Sequence, residues 1–282
     1  MGRPMSRNLM HAGARLVIHN RSREVVARLA GEGMQAAASP AEVAHRAPVV
    51  ILMLSDTPAV EQVCQGADGL INAVRRGSLV IDMGTTAVAA TRLIADQFAA
   101  RGAAFVDAPV SGGDLGAREA TLSIMVGGEA NAVERAMPLL QVLGRNITRV
   151  GSVGAGQVAK TANQIIVGLN IGAVAEALSL ARAAGVDPAR VRAALSGGFA
   201  DSRILQVHGQ RMIDGDFRPG GKVVTQRKDL RQALELAAAI GLELPATRLN
   251  LSLYERLVAS GGGELDHSAL IKVIAEDDES SG

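Results

Sequence analysis

The chain has 282 residues, enough for one large domain or two of ordinary size. Its composition, 48% apolar against 20% charged, supports a packed core rather than a disordered chain. A formal net charge of +1, 2% aromatics and no Trp offer neither the basic surface nor the stacking rings of a nucleic-acid binder, and no pull toward an anionic membrane. Cys64 is the one cysteine, which excludes an intramolecular disulfide, argues against a cysteine-built metal centre and fits a cytoplasmic location.

Met1 to Ala12 reads as a helix with no signal-peptide pattern, and strands are expected at Leu16 to His19, Val49 to Leu54, Leu79 to Met83, Ala104 to Asp107, Leu122 to Val126 and Ile147 to Val150. Between them, Arg23 to Gly31, Pro40 to Arg46, Ala59 to Cys64 and Ala87 to Gly102 are helical in composition. Continuous apolar strands alternating with helices predict an α/β fold: a Rossmann-like, doubly wound, largely parallel sheet over residues 1–151.

Residues 152–275 predict an all-α domain. The turn Gly151 to Gly156 leads into a helix of about 30 residues, roughly 45 Å long, that joins the two domains and ends near Gly185. Its stretch Thr161 to Ser179 is long and apolar, but Asn163, Gln164, Asn170 and Glu176 make it a buried helix rather than a membrane span. From Ile165 to Ala183 it is apolar on most faces, so a second subunit is expected to cover it, giving a homodimer or homotetramer. Helices follow at Pro188 to Leu195, Ser202 to Asp214, Gln226 to Ile240 and Pro245 to Ser260; Asp266 caps a last short one. The acidic, Ser-rich tail 276–282 reads as disordered.

A dinucleotide-binding turn needs three glycines between strand and helix; here only Gly2 stands in such a place, that of the third. Just after the next strand, where the adenosine ribose is read, stand Asn20-Arg21-Ser22 instead of an acid. Arg21 offers a guanidinium fork and Ser22 a hydroxyl, which favour the 2′-phosphate of NADP over NAD; the same triplet would also serve as a turn and helix cap. Ser111-Gly112-Gly113 can aim backbone N–H groups at a substrate carboxylate or form an ordinary turn. Lys160 lies one turn into an apolar helix, where lost solvation suits an amine to proton transfer, although a lone helix lysine is ordinarily a solvated charge. Lys228, beside Asp229, reads alone as surface charge. His11, His19, His45, His208 and His267 have no metal-binding spacing and no triad order, so no metal is expected.

Four motifs together are specific: Met1-Gly2-Arg3-Pro4-Met5-Ser6-Arg7-Asn8-Leu9, Asp107-Ala108-Pro109-Val110-Ser111-Gly112-Gly113, Gly154-Ala155-Gly156 through Lys160 to Asn163, and Lys228-Asp229-Leu230. Through them the sequence resembles the β-hydroxyacid dehydrogenase family over nearly its whole length. The resemblance implies that Lys160 is the catalytic proton donor and acceptor, that Ser111, Gly112, Gly113 and Asn163 bind a small carboxylate substrate, and that Leu54, Ser55, Thr85 and Lys228 join Gly2, Asn20, Arg21 and Ser22 at the cofactor. Lys228 would reach it in a cleft between the domains. The family often has Pro where Ser55 stands, which weakens that assignment, and His267 would be structural or substrate-lining.

The motifs Asn163-Gln164-Ile165-Ile166-Val167, Ser196-Gly197-Gly198 and Asp266-His267-Ser268-Ala269-Leu270 look most like the branch that reduces tartronate semialdehyde (2-hydroxy-3-oxopropionate) to glycerate. NADP is the expected cofactor, with NAD as the other choice; oxidation of 3-hydroxyisobutyrate is the alternative activity. The family opens with a strand and a complete Gly-rich turn, about ten residues that are expected ahead of Met1. If they do not exist, the expectation changes to a non-catalytic dimeric binding protein that keeps the fold.

Overall fold

The computed structural model describes residues 1–274, and the predicted disordered tail 276–282 lies outside them. The chain divides into two compact units, Met1–Lys160 and Thr161 onward.

The first unit runs α1 (Gly2–His11), β1 (Val17–Ile18), α2 (Arg23–Gly31), β2 (Gln35–Ala36), α3 (Pro40–Arg46), β3 (Val49–Leu52), α4 (Thr57–Gln65), β4 (Leu79–Asp82), α5 (Val88–Ala100), β5 (Ala104–Asp107), β6 (Val110–Ser111), α6 (Gly113–Arg118), β7 (Leu122–Gly127), α7 (Ala130–Leu143), β8 (Gly144–Gly151) and the start of α8 (Ala155–Ala183). Helix starts are written locally: Ser39 accepts the Glu42 N–H ahead of Pro40, and Asp56 accepts the Ala59 N–H ahead of Pro58.

Strands β3, β4 and β5 are parallel and in register, pairing Leu52 with Asp82 and Asp82 with Asp107 at their carboxyl ends. Beyond β5 the sheet is mixed rather than parallel: β7 runs antiparallel to β5 and β6, with β8 parallel to β7. The short β6–α6–β7 connection does not make the crossover that a parallel pair requires. Alternate side chains on the buried strand β4 supply opposite faces. Leu79 and Ile81 pack with Met5 and Leu9 of α1 and Leu140 of α7; Val80 packs with Val60 of α4 and Ile94 and Phe98 of α5.

β1 and β2 form a separate two-stranded parallel sheet. β1 and the residue before it nevertheless share the same two cores as β3: Leu16 with Val49 and Ile51 on one face, Val17 with Val50 and Leu52 on the other. The sheet is therefore layered as one but hydrogen-bonded as two, and among the described residues no strand bridges β1 and β3. Val17, Ile18, Val49 and Ile51 remain only half-buried beside the wholly buried β4.

Strands β2 and β6 and helices α6 and α7 were not expected from the sequence. The two strands hold two residues each and exist through their pairing; in α7, Pro138 interrupts the helical pattern.

The second unit continues α8 and adds α9 (Pro188–Leu195), α10 (Arg203–Asp214), α11 (Val223–Ala239) and α12 (Pro245–Ala259), with short 3₁₀ turns at Gly262–Glu264 and His267–Leu270. Its core gathers Ile171, Val174, Ala175 and Leu178 of α8 with Leu205, Leu230, Leu251, Tyr254 and Leu270. By length and apolar composition α8 could cross a membrane, yet it supplies the centre of this core. It still leaves Ile166 60% and Leu180 72% exposed.

Candidate active site

In the first unit the carboxyl ends of β3, β4 and β5 bring three expected segments together. Leu54 and Ser55 follow β3, Thr85 follows β4, and Ser111, Gly112 and Gly113 follow β5 by way of β6. Neighbouring turns are tightly packed: a Cβ on Gly84 would come within 2.9 Å of the Leu54 carbonyl oxygen. Ser55 is exposed and donates its hydroxyl to Asp56, while Thr85 and Leu54 are half-buried. Gly112 and Gly113 have φ of 131° and 64°, conformations that strain any residue with a Cβ, and they lead into α6. Ser111 pairs with Ser123 of β7, half-buried at the same end.

Two aspartates adjacent in register organise this edge. Asp82 accepts the Gly84 N–H at 2.9 Å and the Thr86 hydroxyl at 2.6 Å, shaping the turn that carries Thr85. Asp107 accepts the backbone N–H groups of Gly154 at 2.7 Å and Gln157 at 2.9 Å, holding the start of α8. Burial pushes the Asp107 carboxyl above the usual range, and the backbone donors from Gly154, Gln157 and Gly156 offset part of that. Lys160, in the second turn of α8, is 7% exposed and is not a solvated surface charge. Asn163 is half-buried three residues further on and donates its amide to Gln164 at 2.8 Å. Sequence reasoning missed Asp82 and Gln157 and left Asp107 without a role. One signal was present: Gly154-Ala155-Gly156 offers no capping side chain, so a distant acceptor had to serve α8.

These residues fit a nicotinamide dinucleotide. Helix α1 begins at Gly2 with no side-chain cap and no acid in its first turn, leaving N–H groups for a diphosphate. A Cβ on Gly2 would make only an ordinary 3.7 Å contact with Met53, so packing among the described residues does not demand glycine there. After β1, the Ser22 N–H donates to the Asn20 side chain in a tight turn, and Arg21 is exposed with no carboxylate within ion-pair distance among the described residues.

In the second unit, Lys228 pairs with buried Asp229 at 3.0 Å, and Asp229 accepts the Gln164 amide. Contrary to the expectation from spacing, the fold gathers two histidines: ligand atoms of His208, Asp266 and His267 lie within 4.8 Å of one another. The Asp266 oxygens are already taken by Ser268, Gly220, Gly221 and the Arg211 guanidinium at 2.8 Å, which opposes a metal dication. His267 stacks edge-on against His208 in a polar clamp.

The family described as the NAD binding domain of 6-phosphogluconate dehydrogenase matches residues 1–151. The family described as the NAD-binding domain of NADP-dependent 3-hydroxyisobutyrate dehydrogenase matches residues 154–274. The chain is 46% identical over 274 residues to a 2-hydroxy-3-oxopropionate reductase of Escherichia coli, covering 97% of this chain and 94% of that protein. It is 36% identical to a 3-hydroxyisobutyrate dehydrogenase of Pseudomonas aeruginosa, covering 97% and 95%. A solved Mycobacterium tuberculosis 3-hydroxyisobutyrate dehydrogenase with L-serine superposes at a TM-score of 0.88 and 31% identity, covering 97% and 95%. With these matches along both units, the chain belongs to the 3-hydroxyisobutyrate dehydrogenase-like family of β-hydroxyacid dehydrogenases, oxidoreductases that use a nicotinamide cofactor.

Proposed function

We propose that this protein reduces tartronate semialdehyde to glycerate with NADPH. The observation that carries this reading is the burial of Lys160, 7% exposed, on a helix anchored at the carboxyl edge of the sheet. A nicotinamide bound here would supply the hydride for the aldehyde carbon. The carbonyl oxygen then becomes an alkoxide, and the Lys160 ammonium donates a proton to it; in the reverse direction the neutral amine accepts that proton. The N–H groups at Gly112 and Gly113 and the Ser111 hydroxyl bind the substrate carboxylate; nothing lies within 4 Å of where a Cβ on Gly113 would stand, which leaves that backbone open to close approach. Asn163 holds the substrate hydroxyl or carboxylate.

The tartronate semialdehyde reading rests on the 46% identity to the Escherichia coli reductase. Oxidation of 3-hydroxyisobutyrate is the second reading, supported by the 36% relative. Asn20-Arg21-Ser22 supports NADP, because Arg21 can pair with a 2′-phosphate that an acid there would repel. The exposed Ile166 and Leu180 of α8 support a homodimer or homotetramer that covers them.

NADPH oxidation is to be measured with tartronate semialdehyde and with methylmalonate semialdehyde. The first should be turned over with the higher kcat/KM, and Lys160→Ala should lower kcat by about 10²-fold or more with NADPH affinity retained. Turnover of neither aldehyde overturns the substrate reading, and an undiminished kcat in the variant overturns the role of Lys160.

A further inference from the structure

We infer that Gln157 is a positioning residue for proton transfer, bracing the part of α8 that carries Lys160 against the turn Gly84–Thr86, with Asp107 as the anchor of the same helix. The inference rests on the reading of Lys160 as proton donor.

The start of α8 has no local cap, because Gly154-Ala155-Gly156 carries no polar side chain. Its free N–H groups are met from 47 residues upstream, by Asp107. That contact fixes where the helix begins. The glycines make it possible: a Cβ on Gly156 would lie 2.8 Å from Asp107 Oδ2 and 2.4 Å from the Met125 carbonyl oxygen.

Gln157 then fixes how the helix faces. Its Oε1 accepts the Thr86 N–H at 3.1 Å, and its Nε2 donates to the Gly84 carbonyl at 3.0 Å, both buried. A neutral amide supplies a donor and an acceptor on separate atoms of one side chain, which an ionised carboxylate cannot. The turn it grips is itself held by Asp82, the register neighbour of Asp107. Thr85, assigned to the cofactor by the resemblance, lies between the two gripped residues. Lys160 follows Gln157 by three positions and so shares its helix face. Gln157 thereby sets the placement of the proton donor relative to the turn that carries Thr85 without touching the reacting atoms. A misplacement of about 1 Å at such a site can cost roughly 10²-fold in rate.

The test uses the full chain with NADPH and tartronate semialdehyde, comparing wild type, Gln157→Met, Gln157→Glu, Lys160→Ala and the double variant Gln157→Met/Lys160→Ala. Methionine keeps the length and loses both hydrogen bonds; glutamate keeps the acceptor, loses the donor and serves if methionine prevents folding. The expected result is a fall in kcat of about 10-fold to 100-fold for either single change at Gln157, with KM for NADPH nearly unchanged. The double variant should be no slower than Lys160→Ala alone, because Gln157 acts through the lysine. Equal fold losses in both backgrounds would show a merely structural role and overturn the inference.

Hydrogen exchange supplies a readout that needs no turnover. Gln157→Met should speed exchange at Thr86 and in the first turns of α8 together, and unchanged exchange at Thr86 overturns the brace. If Lys160→Ala turns over as fast as wild type, the proton-donor reading fails and the positioning role fails with it. A loss at Lys160 without one at Gln157 overturns the positioning role alone.

Discussion

Asp107 in the sheet unit and Asp266 in the helical unit are both fully buried, and both accept backbone N–H groups at the start of a helical segment, yet burial leaves them differently. Around Asp107 the donors are backbone N–H groups, with no ion pair among the described residues, and its carboxyl is pushed above the usual range. Burial pushes Asp266 up as well, but His208, Ser268, the nearby His267 and the Gly221 N–H together hold it well below that range. The Arg211 guanidinium, 2.8 Å from Asp266, adds a formal charge that the Asp107 site lacks. With backbone N–H donors alone the Asp107 carboxyl stays raised, whereas side-chain donors and nearby charge lower that of Asp266.

Removing the cation-paired acid should have the largest effect. Asp266→Ala takes from Arg211 its 2.8 Å carboxylate partner, leaving it the Asp216 carboxylate at 4.0 Å, and strands the Gly220 and Gly221 N–H groups; it should cost about 3–5 kcal/mol in urea unfolding. A loss under about 1 kcal/mol would put the two sites on a par and break the comparison.

The packing around each acid sharpens it next. A Cβ on Gly127 would lie 2.5 Å from Asp107 Oδ1 and 2.7 Å from the Gly156 nitrogen, so Gly127→Ala should destabilise by about 1–3 kcal/mol. At the other site a Cβ on Gly220 would lie 3.3 Å from Arg211 Nη1 and 3.4 Å from Asp266 Oδ2, and Gly220→Ala should stay within about 0.5 kcal/mol. Comparable losses would mean that the backbone-only site is no more tightly enclosed than the cation-rich one.

The smallest expected effect is the sign of the pH dependence. The folded-state carboxyl of Asp107 is raised, so its contribution is fully present below the unfolded value near pH 4 and is lost as pH rises through the folded value. The stability gap between wild type and Asp107→Asn should therefore widen as pH falls from 7 toward about 4. Asp266 is depressed, so its contribution is present above about pH 4 and is lost as pH falls through its folded value. The gap to Asp266→Asn should stay level from pH 7 to about 5 and narrow only in stronger acid. Thermal melts across that range check both, and gaps that move in the same direction would contradict the comparison.

Much of this architecture was legible in the residues. Ala104–Asp107, Pro40–Arg46 and Pro188–Leu195 form as expected, because a continuous apolar run or a capping side chain with an adjacent proline carries its own local cause. Ser111, Thr85 and Lys160 were singled out through motifs. Gln157 was not, since one amide in an apolar helix has no signature until its two partners, 71 and 73 residues away, are in place. His208 and His267 likewise become neighbours only when α10 packs against the turn that follows α12.

The longer strands and helices, the change from a strand-bearing first half to an all-helical second half and the family motifs follow from periodicity, caps and short-range spacing, which are encoded within a few residues of where they act. The antiparallel turn of the sheet at β7, the gathering of two buried aspartates in register and the opposite fates of Asp107 and Asp266 belong to the tertiary structure. Each depends on which distant donors and charges reach a group once water is gone, and in a low-dielectric interior those neighbours decide its electrostatics.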